Sequence, residues 1–94
     1  MRTIEYASAF KRDFRRVKAT PRHVKDVDGL LTAALTLLAA DKPLPASNRD
    51  HALVGDWAGY RECHIKPDLL LIYRLPEPGK MRLARLGSHS ELFG

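Results

Sequence analysis

The sequence predicts an α+β fold in which two N-terminal helices pack on a small antiparallel sheet. Three observations lead there. Apolar residues recur at helical spacing from Phe10 to Leu38, and from Tyr60 onward they switch to alternation and short apolar runs. Pro67-Asp68 and Pro76-Glu77-Pro78-Gly79 then cut the second half into strand-length pieces.

Each element has its own signal. Residues 2–6 alternate polar with β-favouring side chains and read as a first strand, after which Ser8 can cap a helix. Phe10, Phe14 and Val17 form one apolar stripe, leaving Lys11, Arg12, Arg15, Arg16 and Lys18 displayed on the other faces. Thr20-Pro21 restarts the chain as a second helix, whose apolar positions Val24, Val27, Leu30, Leu31, Ala34, Leu35 and Leu38 carry it to about Ala40. Asp41-Lys42-Pro43-Leu44-Pro45 cannot continue it, and an irregular connection runs to Asp50-His51. Gly55 and Gly59 mark a turn around Trp57. Strands follow at 60–66, 69–75 and 80–86.

With a two-residue turn at Pro67-Asp68, Cys63 and Ile65 would share the core face with Leu70 and Ile72. His64, Glu62 and Tyr60 would then face a cleft or solvent. Gly87 ends the last strand, and Ser88-His89-Ser90-Glu91 has the spacing of a capping box opening one helical turn. The predicted order is β-α-α-β-β-β with a short C-terminal helical turn, a single domain over residues 1–94.

Composition narrows the function classes. A 94-residue chain with 45% hydrophobic and 29% charged residues is one ordinary globular domain. No apolar run reaches the roughly 18 residues of a membrane span and no secretory leader is evident, so the expectation is a cytoplasmic protein with no membrane partner. A single cysteine allows no internal disulfide. Residues 1–25 hold eight Lys/Arg against Glu5 and Asp13, whereas the rest of the chain is nearly balanced. Such a basic arm suits nucleic acid or an acidic protein, though a solvated helix face would look the same.

Reactive side chains crowd into residues 50–68, which hold His51, His64, Asp50, Asp56, Asp68, Trp57 and Cys63. Imidazole titrates near neutral pH and suits proton transfer. His51, His64 and His89, with an arginine, would supply the base, acid and phosphorane stabilisation of RNA scission. The helix start at Ser88 would add backbone N–H groups beside His89, and Phe93 could stack a base. His23, on a charged helix start, reads as a surface side chain, and Cys63 as a small core residue. No His-x-His or His-x-x-x-His spacing supports zinc, so neither a metal nor a cofactor is expected.

The stretches 51–73, with His-Ala-Leu-Val-Gly-Asp-Trp and His-Ile-Lys-Pro-Asp, and 85–93, with Arg-Leu-Gly-Ser-His-Ser-Glu-Leu-Phe, resemble the YafQ-type toxins of the RelE superfamily from bacterial type II toxin–antitoxin systems. The resemblance implies a RelE-like fold and a ribosome-dependent mRNA endoribonuclease. Its partners would be the ribosome, mRNA and a cognate antitoxin of DinJ or RelB type, with two toxins and two antitoxins in the complex. It carries activity onto His51, His64, Asp68, His89 and Phe93, and makes Arg85 a phosphate ligand. Going beyond the resemblance, His89 is expected as general acid and His51, oriented by Asp68, as general base, although the sequence fits the reverse equally well. His64 would align the phosphate. Lys11, Arg12 and Arg15 would contact ribosomal RNA. The alternatives are a non-catalytic RNA- or ribosome-binding module, a fold kept only as an antitoxin-binding or DNA-autoregulation partner, and, weakest, a metal hydrolase.

Overall fold

In the computed structural model, which covers residues 1–94, the elements are β1 (Thr3–Tyr6), α1 (Ser8–Lys18), α2 (Pro21–Val24), α3 (Val27–Ala39), β2 (His51–Ala52), β3 (Arg61–Lys66), β4 (Leu69–Arg74), β5 (Lys80–Gly87) and α4 (His89–Phe93). The five strands lie in the order β1-β5-β4-β3-β2. All pairings are antiparallel except β1 with β5, which is parallel, as the long stretch of chain between the two strands allows. No helix is long and apolar enough to cross a membrane.

α1 and α3 cover one face of the sheet. Phe10, Val17, Val27, Leu31, Ala34 and Leu38 meet Cys63, Leu71, Tyr73, Leu83 and Leu86 there. The cap of α1 is Ala7, not Ser8, and no side chain bonds to the helix start. β1 runs straight into the helix, with Ala7 N–H still donating to the Leu83 carbonyl.

The single second helix expected from Pro21 onward is broken at Lys25–Asp26. The Asp26 N–H turns back to the His23 carbonyl, which leaves the Arg22 carbonyl without its helical partner. Lys66 Nζ fills that gap at 2.9 Å and reaches Asp26 Oδ1 at 3.1 Å. The break rotates Val27 fully inside while Val24 stays 43% exposed. It also buries His23, against the surface position expected for it. Its Nδ1 is buried without a hydrogen-bond partner, and Nε2 accepts from Arg22 Nε at 3.3 Å. Burial, then the positive Lys66 and Arg22, hold this imidazole below its ordinary 6.5.

The β3–β4 hairpin also departs from the simple register. Lys66 pairs with Leu69, but His64 pairs with Leu70 and Cys63 with Leu71, because a bulge at Ile65 slips the strands by one residue. A one-residue slip inverts the face of the partner strand. Cys63 therefore shares the helix-covered core with Leu71 and Tyr73, whereas Leu70 and Ile72 lie on the second face with His64 and Glu62. β4 is the central strand and is buried on both sides, which explains its unbroken apolar run.

The second face is closed at one end by α4. Leu92 packs there with Leu70, Ile72 and Ala84, and Trp57, Tyr60 and Phe93 flank them. The capping box forms as the sequence predicts: Ser88 Oγ accepts from Glu91 N–H and Glu91 Oε1 accepts from Ser88 N–H. A β-carbon at Gly87, the turn into α4, would lie 3.0 Å from Arg16 Nη2 and 3.1 Å from Glu91 Oε1, so those side-chain ends would have to shift by a few tenths of an ångström to admit one.

Candidate active site

Sheet register assembles the site. His51, Glu62, Ile72 and Arg85 stand opposite one another across β2, β3, β4 and β5. His64, two residues after Glu62 on β3, projects to the same side. Glu62 is 5% exposed, yet its carboxylate accepts no hydrogen bond: Oε1 lies 3.5 Å from His64 Nε2 and 3.8 Å from His51 Nε2. Oε1 is thus placed to accept from either ring nitrogen when that nitrogen carries a proton. Sequence reasoning named both histidines but left Glu62 without a role; the Glu-x-His alternation on one strand was its signal.

His51 is half exposed, and its Nδ1 lies 2.7 Å from the Arg49 carbonyl oxygen. His64 lines a groove of about 640 Å³ with Leu30, Ser47, Asn48, Arg49 and Lys66. Behind β2, Asp50 accepts from the Tyr73 hydroxyl and pairs with Arg61 at 3.3 Å, fixing the strand to the sheet. Burial, then the bond to Asp50, raises the Tyr73 hydroxyl far above its ordinary 10.0.

His89 and Phe93 form a second cluster. They are one turn apart on α4 with ring centroids 5.0 Å apart, and Phe93 meets Trp57 edge-on at 6.5 Å. His89 is exposed and no ion pair holds it.

Arg85 is drawn toward a third group. Its Nε donates to Asp13 Oδ2 at 2.6 Å and its Nη2 to Asp13 Oδ1 at 3.2 Å, while Arg16 Nη1 and the Leu86 N–H also reach this carboxylate. β1 ends its pairing at Leu83, so the open edge of β5 beyond it is satisfied by α1 side chains. Burial pushes the Asp13 carboxyl up, but the bonds from Arg85, Leu86 N–H and Arg16 outweigh it and hold the group below its ordinary 3.8.

The remaining candidate residues are elsewhere. Asp68 is exposed in the β3–β4 turn and is in no ion pair; His51 is held by the Arg49 carbonyl instead, so the expected orientation of His51 by Asp68 is not found. Lys11 and Arg15 line a separate groove of about 560 Å³ between α1 and α3, floored by Phe10, Phe14, Leu31 and Leu35. Arg12 is exposed on the same helix. That groove is the more apolar of the two and holds no histidine. Cys63 is fully buried, with its thiol pushed up to about 12 by burial, as expected of an inert core residue.

A family model described as "Bacterial toxin of type II toxin-antitoxin system, YafQ" matches residues 2–94. The chain belongs to the YafQ toxin family. It is 40% identical over 93 residues to the mRNA interferase toxin YafQ of Escherichia coli strain K12, a match spanning 99% of this chain and 97% of that one. A copper-bound mutant toxin from Helicobacter pylori superposes with a TM-score of 0.87 at 39% identity, covering 99% of this chain and 100% of that one. YafQ in the E. coli DinJ–YafQ complex superposes with a TM-score of 0.83 at 41% identity over 100% of both chains. The RelE-like α+β fold is thus shared with the family's solved toxins.

Proposed function

We propose that this chain is an mRNA interferase toxin that cuts messenger RNA on the ribosome by metal-independent acid–base chemistry, and that a DinJ- or RelB-type antitoxin holds it inactive as a heterotetramer in the cytoplasm. The observation that carries the reading is the buried Glu62 between His51 Nε2 and His64 Nε2. The 40% identity to an E. coli mRNA interferase supports it over the whole chain.

His51 Nε2 takes the proton of a ribose 2′-hydroxyl as its oxygen attacks the adjacent phosphorus. The P–O5′ bond breaks, and His89 gives a proton to the departing O5′, leaving a 2′,3′-cyclic phosphate and a 5′-hydroxyl. Protonated His51 is then stabilised by Glu62. His64 lies against the non-bridging oxygens, and Arg85 Nη1, the terminal nitrogen not bonded to Asp13, offers a further donor. Phe93 stacks a base, and Lys11, Arg12 and Arg15 contact ribosomal RNA, so binding falls steeply with salt.

The test is to incubate the purified protein with ribosomes on a defined mRNA and map the 5′ ends, beside a His89→Ala variant and ribosome-free RNA. Cuts that require both the ribosome and His89 support the reading. Tight ribosome binding with no cuts refutes it in favour of a binding module.

A further inference from the structure

We propose that the corner at Asn48–Arg49 is the positioning device of the histidine centre, presetting the tautomer of His51 and tying its strand to that of His64; this rests on the function proposed above. The 3₁₀ turn at Ala46–Asn48 ends at Arg49 with φ 48° and ψ 45°, a left-handed conformation that side-chain-bearing residues rarely adopt. The turn folds the Arg49 N–H back onto the Ala46 carbonyl at 3.1 Å. It also brings the Arg49 carbonyl oxygen to 2.7 Å from His51 Nδ1.

A carbonyl oxygen only accepts, so Nδ1 carries the proton. In the neutral ring the lone pair then falls to Nε2, the nitrogen that faces Glu62 at 3.8 Å. One residue earlier, Asn48 Nδ2 donates to the His64 carbonyl at 2.7 Å. The corner thus has two prongs, one on the His51 ring and one on the backbone of His64. Neither residue lies on a histidine-bearing strand. The exposed Arg49 side chain is not what acts; the backbone conformation is. A general base must carry its lone pair on a nitrogen free to take a proton, and this corner assigns it to Nε2 without a carboxylate behind the ring.

Two variants separate the backbone from the side chain. Glycine adopts the left-handed conformation readily, and a β-branched residue resists it. Long-range ¹H–¹⁵N spectra of the labelled full chain at about pH 8, above the ordinary imidazole pKa of about 6.5, read the tautomer, with His51→Ala assigning the signal. Wild type and Arg49→Gly are expected to give the Nδ1–H pattern. Arg49→Val is expected to shift toward Nε2–H and to cleave on the order of 10-fold more slowly than Arg49→Gly. An Nε2–H pattern in the wild type overturns the proposal whatever the variants do, including an Arg49→Val chain that does not fold. Equal spectra and equal rates for the two variants also overturn it. A His51→Ala chain that still cleaves would instead refute the base role of His51 and leave the tautomer result standing.

Discussion

Asp13 and Glu62 are both carboxylates nearly sealed from solvent, at 3% and 5% exposure, but their surroundings differ in kind. Asp13 is matched by two arginines and a backbone N–H, all at 3.2 Å or less. Those donors do not titrate near neutral pH, so the group is locked in its charged form and joins α1 to the edge of β5. Glu62 has only two imidazoles, at 3.5 and 3.8 Å, side chains that can take up and give back a proton. A buried acid saturated by permanent donors is architecture, and one left to titratable neighbours can take part in proton transfer. The permanence of the partner, more than the depth of burial, separates the two.

That contrast is broken most directly by neutralising each acid in turn. Asp13→Asn leaves Arg85 and Arg16 without their shared anion, and unfolding titration should show a loss of about 3 kcal/mol. The melting temperature should fall by more than about 10 °C. Glu62→Gln should change stability by less than about 1 kcal/mol, since no hydrogen bond to it is lost. Its single-turnover cleavage should nevertheless slow on the order of 30-fold through loss of support for the imidazoles. The opposite pattern, a melting defect at Glu62 and a rate defect at Asp13, would dissolve the distinction.

The pH dependence of stability sharpens it further. The folded pKa values of His23 and Asp13 are both lowered, so in each case the unfolded chain binds the proton first and stability declines as pH falls. The His23 step begins near 6.5 and the Asp13 step near 3.8. His23→Gln should flatten only the upper step and Asp13→Asn only the lower, read from urea midpoints at successive pH values. The smallest effect is expected at the capping box: Ser88→Ala should cost about 1 kcal/mol and fray α4. Phe93 would then move from Trp57, which tryptophan fluorescence reports.

Much of this arrangement was legible in the residues, and what was not has identifiable causes. The stripe of Phe10 and Val17, the turn at Gly55–Gly59 and the Ser88–Glu91 box depend on local spacing, and each stands where the spacing puts it. The faces of β4 were misread because a bulge at Ile65 has no sequence signature in an apolar run. Likewise, the break at Lys25–Asp26 is filled by Lys66, a residue 40 positions away, and no window along the helix reveals it. His23 follows from that same break. Parallel pairing of β1 with β5 joins the two ends of the fold and is invisible to alternation. Of the site, the histidines were readable as residue types. The role of Glu62 and the engagement of Arg85 by Asp13 emerged only once register placed them.

The central claim is that the His51–Glu62–His64 centre is where RNA is cut. The measurement that tests it most directly is the single-turnover cleavage rate of ribosome-bound mRNA, for wild type and His51→Ala, with the chemistry of the new ends determined. The expected result is 2′,3′-cyclic phosphate ends from the wild type, a rate at least about 100-fold lower for His51→Ala, and equal melting temperatures. A His51→Ala protein that cuts at the wild-type rate, or wild-type ends that carry no 2′,3′-cyclic phosphate, would contradict the account.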